Sequence, residues 1–201
     1  MKTESDDKMM NTQNKLSVCG FILFVLMVLV RSMMLRKRGT KAIVFGNTDK
    51  SDFLLVPMVL AIAYATLANT FGLPMWNVLI RSFWNGSVSG WIGLSICAVA
   101  LLSFALTLAS FGDSFRVGID EDNPSKLVTG GMFSISRNPI YVCFLLFFTG
   151  LFLVHRNMMI AVAVVLFALA IHRQVLREEK FLAAHYGDEY REYCNRVRRY
   201  F

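Results

Sequence analysis

The stretch "PIYVCFLLFFTGLFLVHRNMMIAVAVVLFALAI", residues 139–171, contains two apolar runs that only a short polar turn separates. The runs cover 139–154 and 157–171, and His155-Arg156 lies between them. At ~1.5 Å per residue, the first run forms about 24 Å of helix. Such runs either cross a bilayer with help from their flanks or form a hairpin that dips in and returns. In both cases the chain comes back to the side that it left.

Three further apolar segments precede this stretch, at 16–35, 53–73 and 89–111. Only the first of them carries a charge, Arg31, and each reaches the ~20 residues that span a bilayer core. The 201-residue chain is 55% hydrophobic, with a mean hydropathy of +0.50, which is more apolar than a typical soluble domain. The sequence therefore predicts an all-α integral membrane helical bundle with about five transmembrane segments.

The charged tail predicts a helix that continues beyond the membrane. Residues 172–186, "HRQVLREEKFLAAHY", read as helix, and a turn at Gly187-Asp188 precedes a second helical piece. We divide the chain into an N-terminal membrane region, 1–111, with three transmembrane helices, and a second region, 112–201. The second region holds two further membrane helices and the cytosolic segments.

The basic residues predict which side faces the cytosol. With five spans, one side holds a few of them: Lys2, Lys8, Lys15, Arg81 and Arg156. The other side holds Arg36, Lys37, Arg38, Lys41, Lys50, Arg116, Lys126, Arg137, Arg173, Arg177, Lys180, Arg191, Arg196, Arg198 and Arg199. Because the basic side of a membrane protein is normally cytoplasmic, we expect the N-terminus outside and the C-terminus inside.

The net charge of +7 is thus gathered at one membrane surface, where it favours anionic lipid headgroups. The sequence shows no basic patch on a soluble domain, which is the feature that would indicate nucleic-acid binding. The four cysteines form no CxxC pair and no Cys/His spacing that suits zinc, so we expect no metal. The expected partner is the lipid bilayer, and nucleic acid is not expected.

Polar residues crowd the start of the fourth apolar run. Thr129-Gly130-Gly131 permits positive φ and a close backbone approach to a ligand. Asn138 and Pro139 suit the N-cap and first position of a helix, and Arg137 beside them would favour an anionic group at that helix N-terminus. The alternative is an interfacial anchor, with Arg137 reaching the headgroups. The residues alone leave both interpretations open.

A pair of acidic residues, Glu178 and Glu179, follows the last apolar run by about seven residues. On a continuing helix they lie roughly 10 Å beyond its exit from the membrane. They are either part of a site or a solvated face whose charges Arg177 and Lys180 balance.

The segments "KLVTGGMFSISRNPIY", 126–141, and "REEKFLAAHYGDEYREYCNRVRR", 177–199, together resemble the isoprenylcysteine carboxyl methyltransferase family of membrane enzymes. That family has an Arg-His-Pro-x-Tyr motif, a pair of glutamates and a Gly-(Asp/Glu)-Glu-Tyr-x-x-Tyr tail. The matching residues here are Arg137-Asn138-Pro139-Ile140-Tyr141, Glu178-Glu179, Gly187-Asp188-Glu189-Tyr190 and Tyr193. The resemblance covers roughly the C-terminal half.

The resemblance implies S-adenosyl-L-methionine as cofactor and a set of residues that bind it. These are Ser125, Lys126, Leu127, Val128, Phe133, Asn138, Pro139, Ile140, Tyr141 and Glu178. It also implies catalytic roles for Arg137, Asn138 and Glu178.

Three departures from the family pattern affect the site. Asn138 stands for the usual histidine and Phe133 for a frequent tyrosine. The arginine that contacts a prenylcysteine carboxylate aligns with Gln174, with Arg173 beside it, and these two residues are the predicted substrate contacts.

The expected activity is methyl transfer to a lipophilic or small acceptor: an isoprenylcysteine carboxylate, a lipid amine or a thiol. Such a displacement needs alignment and exclusion of water more than acid–base residues. Two alternatives stay open, a membrane reductase of the sterol-reductase type and a non-catalytic membrane scaffold.

Overall fold

A computed structural model describes residues 4–37, 55–84, 86–111 and 127–200. Within these ranges the chain forms helices and one 3₁₀ turn, Gly131–Ser134. The helices are α1 Glu4–Lys37, α2 Leu55–Phe71, α3 Asn77–Ile80, α4 Val88–Phe111, α5 Pro139–His155, α6 Met158–Tyr186 and α7 Asp188–Arg196. A membrane helical bundle is confirmed.

Five of these helices carry the apolar segments that the sequence predicts. Three are long and apolar enough to cross a membrane, namely Glu4–Met34, Val88–Ser110 and Met158–Tyr186. The other two, α2 and α5, are apolar helices of 17 residues each, or about 25 Å. Each of the two therefore approaches the thickness of a bilayer core without exceeding it.

Interlocking phenylalanine rings fill the centre of the bundle. Phe24 of α1 stacks on Phe147 of α5 with ring centroids 4.6 Å apart, and Phe148 meets Phe167 of α6 edge-on at 4.8 Å. Helices α4 and α5 approach closely because Gly93 and Gly150 face each other: a Cβ added to Gly93 would lie 2.5 Å from the Gly150 carbonyl oxygen. This packing brings the ends of α5 and α6 into a fixed relationship.

A short turn joins α5 to α6 as predicted. Arg156 has a left-handed φ of 55°, and the Asn157 side chain accepts a hydrogen bond from the Ile160 amide at 2.9 Å, which caps α6. At the same end, buried His155 contacts the Ser17 hydroxyl and the Asn69 amide, each at 2.8 Å. These contacts tie α1 and α2 to the α5–α6 hairpin.

At the opposite end of the bundle α6 continues without a break to Tyr186. Gly187, with φ 55°, ends α6 and begins α7, so the predicted turn at Gly187-Asp188 is confirmed. The 3₁₀ turn, the start of α5 and the last residues all lie at this end. The second half of the chain therefore gathers its polar segments around one helix, α6.

Candidate functional site

The two neighbouring glutamates of α6 face different parts of the protein. Successive residues of an α-helix are about 100° apart, so adjacent side chains cannot share a face. The carboxylate of Glu178 accepts hydrogen bonds at Oε1 from the Tyr141 hydroxyl, at 2.5 Å, and from the Gln174 side-chain amide, at 3.0 Å. Glu178 is half-buried, and Gln174 and Tyr141 are buried. The start of α5 and one face of α6 thus form a continuous polar group.

Arg177 extends this polar group along α6, since its guanidinium donates to Gln174 Oε1. Gln174 therefore donates to Glu178 and accepts from Arg177. Its spacing of four residues from Glu178 and three from Arg177 places all of them on one side of the helix.

Glu179 is the centre of a separate ion-pair network. Arg137 donates to Glu179 Oε1 from Nε at 3.0 Å and from Nη2 at 2.9 Å, while Arg199 reaches Oε2 at 2.8 and 2.7 Å. The side chains of Arg137 and Glu179 are only 12% and 10% exposed. The solvated-face interpretation, with Arg177 and Lys180 as balancing charges, is wrong for Glu179, because guanidiniums distant in sequence neutralise it. The Arg137 contacts also argue against a headgroup anchor.

Asn138 and Pro139 begin α5 in the predicted positions, N-cap and first residue. The Asn138 side chain makes no capping hydrogen bond, however, which corrects the expectation that it caps the first turn. Its amide instead donates to Glu179 Oε1 at 3.3 Å and to the Arg199 carbonyl at 3.2 Å. Two strong acceptors outside the helix thus draw the side chain away from the amides that it would otherwise cap.

The diglycine lies at the entrance of the 3₁₀ turn. Gly131 has φ 60°, and a Cβ there would lie 2.3 Å from the Ser110 hydroxyl oxygen, which itself accepts from the Met132 amide at 3.1 Å. Gly130 has an ordinary φ of −96° and nothing within 4 Å of an added Cβ. Only Gly131 needs to be glycine for conformation, and space remains open beside Gly130.

An aromatic cluster holds this turn against α7. Phe133 is buried with Tyr190, Tyr193 and Val197, and Leu127 and Val128 pack against the same cluster. The Tyr193 hydroxyl donates to the Phe133 carbonyl at 2.7 Å. The tyrosines of the predicted tail motif therefore position the segment before α5.

Burial and pairing settle the charge states of the groups around this segment. Burial raises the pKa of Tyr193 to about 12 and also raises the pKa of Tyr190. The hydrogen bond to Glu179 raises the pKa of the Arg199 guanidinium. Near neutral pH both phenols are uncharged and Arg199 is a cation, so the cluster is apolar on one side and ion-paired on the other.

The structure brings most of the predicted site residues together at one end of the bundle. Asn138, Pro139, Ile140 and Tyr141 begin α5 and are buried. Leu127 and Val128 join the Phe133 cluster, and Arg173 is exposed on a different face of α6 from buried Gln174. Ser125 and Lys126 lie outside the described residues.

Sequence reasoning missed the part that residues after α7 play in this region. Arg199 pairs with Glu179, and the Tyr200 hydroxyl lies 2.8 Å from His172 Nδ1. The basic "RVRRY" at 196–200 was available as a signal, since a buried acid on α6 needs a cation from elsewhere.

No group of three or more His, Cys, Asp or Glu that could hold a metal ion occurs in the part of the chain that the structure describes. The polar groups present are amide, carboxylate, phenol and guanidinium. This set can bind a polar organic molecule by hydrogen bonds next to an apolar bundle.

Comparison with known proteins relates this chain to a protein family and to a curated protein. Residues 88–189, from the start of α4 to the first turn of α7, match the model of the family described as phospholipid methyltransferase. The cobalt-zinc-cadmium resistance protein CzcN of Cupriavidus metallidurans is 27% identical over 166 residues, which cover 77% of this chain and 74% of that protein. The range that the family model matches includes α5, α6 and the polar group between them.

Proposed function

This chain belongs to the phospholipid methyltransferase family, and we propose on that premise that it transfers a methyl group from S-adenosyl-L-methionine to a lipophilic or small acceptor. The family confirms the resemblance to membrane methyltransferases that the motifs at 137–141 and 178–193 carry. The observation that carries the proposal is the hydrogen-bonded group of Tyr141, Gln174 and Glu178, which joins the start of α5 to α6 inside the matched range.

The residues at this end suit the chemistry of the cofactor. Its ribose hydroxyls and amino group are donors, for which the Glu178 carboxylate is a strong acceptor. Its carboxylate needs donors, and backbone amides beside the open space at Gly130 supply them. Apolar Leu127, Val128 and Ile140 suit the adenine ring. We include Ser125 and Lys126 in the same binding set.

When bound, S-adenosylmethionine supplies an activated methyl group on a positively charged sulfur. The chain's own residues have to align the acceptor with that group and exclude water. Tyr141 and Gln174 fix the orientation of the Glu178 carboxylate from two directions, so its position is set before a ligand arrives. Asn138, about one helical turn before Tyr141 at the start of α5, is the second residue that we assign to the reaction.

For the acceptor, the position of Gln174 argues against a carboxylate held by a salt bridge. Its amide nitrogen donates to Glu178 and its oxygen accepts from Arg177, so both ends of the side chain already have partners. A thiol or a lipid amine fits better than an isoprenylcysteine carboxylate. We propose entry from the bilayer along the exposed leucines of α6, Leu166, Leu169 and Leu176.

We further propose that the site faces the cytoplasm, with the N-terminus outside. The support is the distribution of basic residues, since the end of the bundle that holds the site also carries the arginines of the tail.

The experiment that tests the proposed function is photocrosslinking of tritiated S-adenosylmethionine to the purified protein in detergent. Label should appear in a peptide from 127–141 or 174–180, and excess S-adenosylhomocysteine should remove it. Competition by NADPH but not by S-adenosylhomocysteine would support the reductase alternative, and no specific label would support a scaffold.

A further inference from the structure

The last four described residues, 197–200, form a segment that we call the C-terminal strap. It follows α7 and lies beyond the range that matches the family model. Its carbonyls accept hydrogen bonds from every residue of 136–138: the Arg137 amide donates to Arg198 at 3.0 Å, and the Ser136 hydroxyl donates to Arg199 at 3.2 Å. Asn138 also donates to Arg199, at 3.2 Å. The strap is therefore bound along its length to the segment that begins α5.

The guanidinium of Arg137 ties the strap to α6. From Nη1 it donates to the carbonyls of Val197, at 2.8 Å, and Cys194, at 3.3 Å, while Nε and Nη2 bind Glu179. Arg199 of the strap binds the other oxygen of the same carboxylate. One carboxylate thus connects the motif before α5, the strap and α6.

The strap and the polar group of Glu178 occupy neighbouring faces of α6. His172 and Glu179 are seven residues apart and so share a face, and both contact the strap, through Tyr200 and Arg199. Gln174 and Glu178 share the next face. Tyr200 also packs against the buried core of the bundle.

We propose that the C-terminal strap forms one wall of the cofactor site and that Arg137, Glu179 and Arg199 are positioning residues that hold it there. This inference rests on the proposed function. It follows from Asn138, whose amide is shared between Glu179 and the Arg199 carbonyl. Release of the strap removes the Arg199 carbonyl from Asn138 and one of the two guanidiniums from Glu179, its other acceptor, so Asn138 and the start of α5 are then held less firmly.

Arg199→Gln tests this inference, with Arg198→Gln as the matched control. The Arg198 side chain is exposed, and the contact of that residue with Arg137 uses its backbone carbonyl, which the substitution retains. The first readout needs no ligand: the rate of tryptic cleavage at the bond between Arg196 and Val197, a site that both variants keep. The second is the Kd for S-adenosylhomocysteine by calorimetry.

We expect Arg199→Gln to be cleaved faster and to bind S-adenosylhomocysteine roughly tenfold or more weakly, because a charged pair with two hydrogen bonds is lost. Arg198→Gln should match the unmodified protein in both measurements, and Arg199→Lys should recover part of each. Saturating S-adenosylhomocysteine should slow cleavage of the unmodified protein.

Different results overturn different parts of the inference. Unchanged cleavage in Arg199→Gln would mean that the network does not hold the strap. Faster cleavage with an unchanged Kd would mean that the strap is not a wall of the site. If the unmodified protein fails to bind S-adenosylhomocysteine, the proposed function is wrong, while the cleavage comparison still reports whether Arg199 holds the strap. A further result would be a lower melting temperature shared by Arg199→Lys and Arg199→Gln, with the same Kd for both. That result would mean that the network stabilises the fold in general and does not position the strap for the ligand.

Discussion

Glu178 and Glu179 are adjacent in sequence, but their carboxylates accept hydrogen bonds from different side chains: Glu178 from Tyr141 and Gln174, and Glu179 from Arg137, Asn138 and Arg199. The helix itself separates them, by about 100°. The first carboxylate accepts from a phenol and an amide, in a group that the Arg177 guanidinium extends through Gln174. The second is neutralised by two cations. Substitution of Glu178 should therefore affect ligand affinity more, and substitution of Glu179 should affect stability more.

Glu178→Gln should lose affinity for S-adenosylhomocysteine by at least about tenfold while the protein stays folded. The glutamine oxygen still accepts from Tyr141 and Gln174, so the fold loses little, but the charge that attracts the ligand's donors is gone. Calorimetry for affinity and thermal melting for stability, on the same preparations, check this. An unchanged Kd would contradict the assignment of Glu178 to the cofactor.

Glu179→Gln should lower the free energy of unfolding by about 3 kcal/mol, because two guanidiniums lose their counter-ion. The loss lies at the low end for a buried pair, since the Arg199 side chain is 38% exposed. Lys180→Gln, on the exposed side of the same turn, is the matched control and should not change the melting temperature. Similar melting temperatures for the two variants would refute a structural role of the network. Glu178→Gln should weaken ligand affinity more than Glu179→Gln does.

The local features of the site follow from the sequence, and its long-range contacts do not. The turn at His155-Arg156, the start of α5 at Asn138-Pro139 and the break at Gly187 depend on neighbouring residues, and the structure confirms them. The partners of Asn138 and Glu179 depend on which segments meet in space. Arg137 reaches Glu179 across 42 residues and Val197 across 60, and helical periodicity carries no information on such pairings.

The phenol of Tyr193 predicts a loss of stability at alkaline pH. Burial raises its pKa from 10.0 to about 12, so the folded protein retains the proton that the unfolded chain gives up. This stabilisation is complete below pH 10 and is lost as the pH rises through about 12. Tyr193→Phe should cost about 1 kcal/mol at pH 8, since the bond to the Phe133 carbonyl is lost, and should flatten the fall in melting temperature above pH 10. Equal alkaline slopes for both proteins would contradict this.

The charge distribution predicts that residue 1 lies outside the cytosol and residue 201 inside. Single cysteines near each end, in a background without the four native cysteines, can be labelled from intact cells with an impermeant thiol reagent. We expect labelling near residue 1 only, with both positions labelled after lysis. Labelling near residue 201 in intact cells would reverse the orientation and place the site on the other face.

Asn138 offers the sharpest distinction between a ligand-site role and a purely structural one. Its amide donates to Glu179 and to the Arg199 carbonyl, and these bonds replace the helix cap that its position suggests. Asn138→Ala loses both donors. Asn138→His keeps one ring N–H and restores the residue found in the family motif, whereas Asn138→Asp puts an acceptor and a second negative charge beside Glu179. If Asn138 serves the cofactor site, histidine should retain S-adenosylhomocysteine binding, while alanine and aspartate should lose it by about tenfold or more. The melting temperature should fall most for aspartate. If neither Asn138 nor the strap is part of the cofactor site, another pattern follows: the Kd would be the same in every variant that remains folded, and only the melting temperature would change.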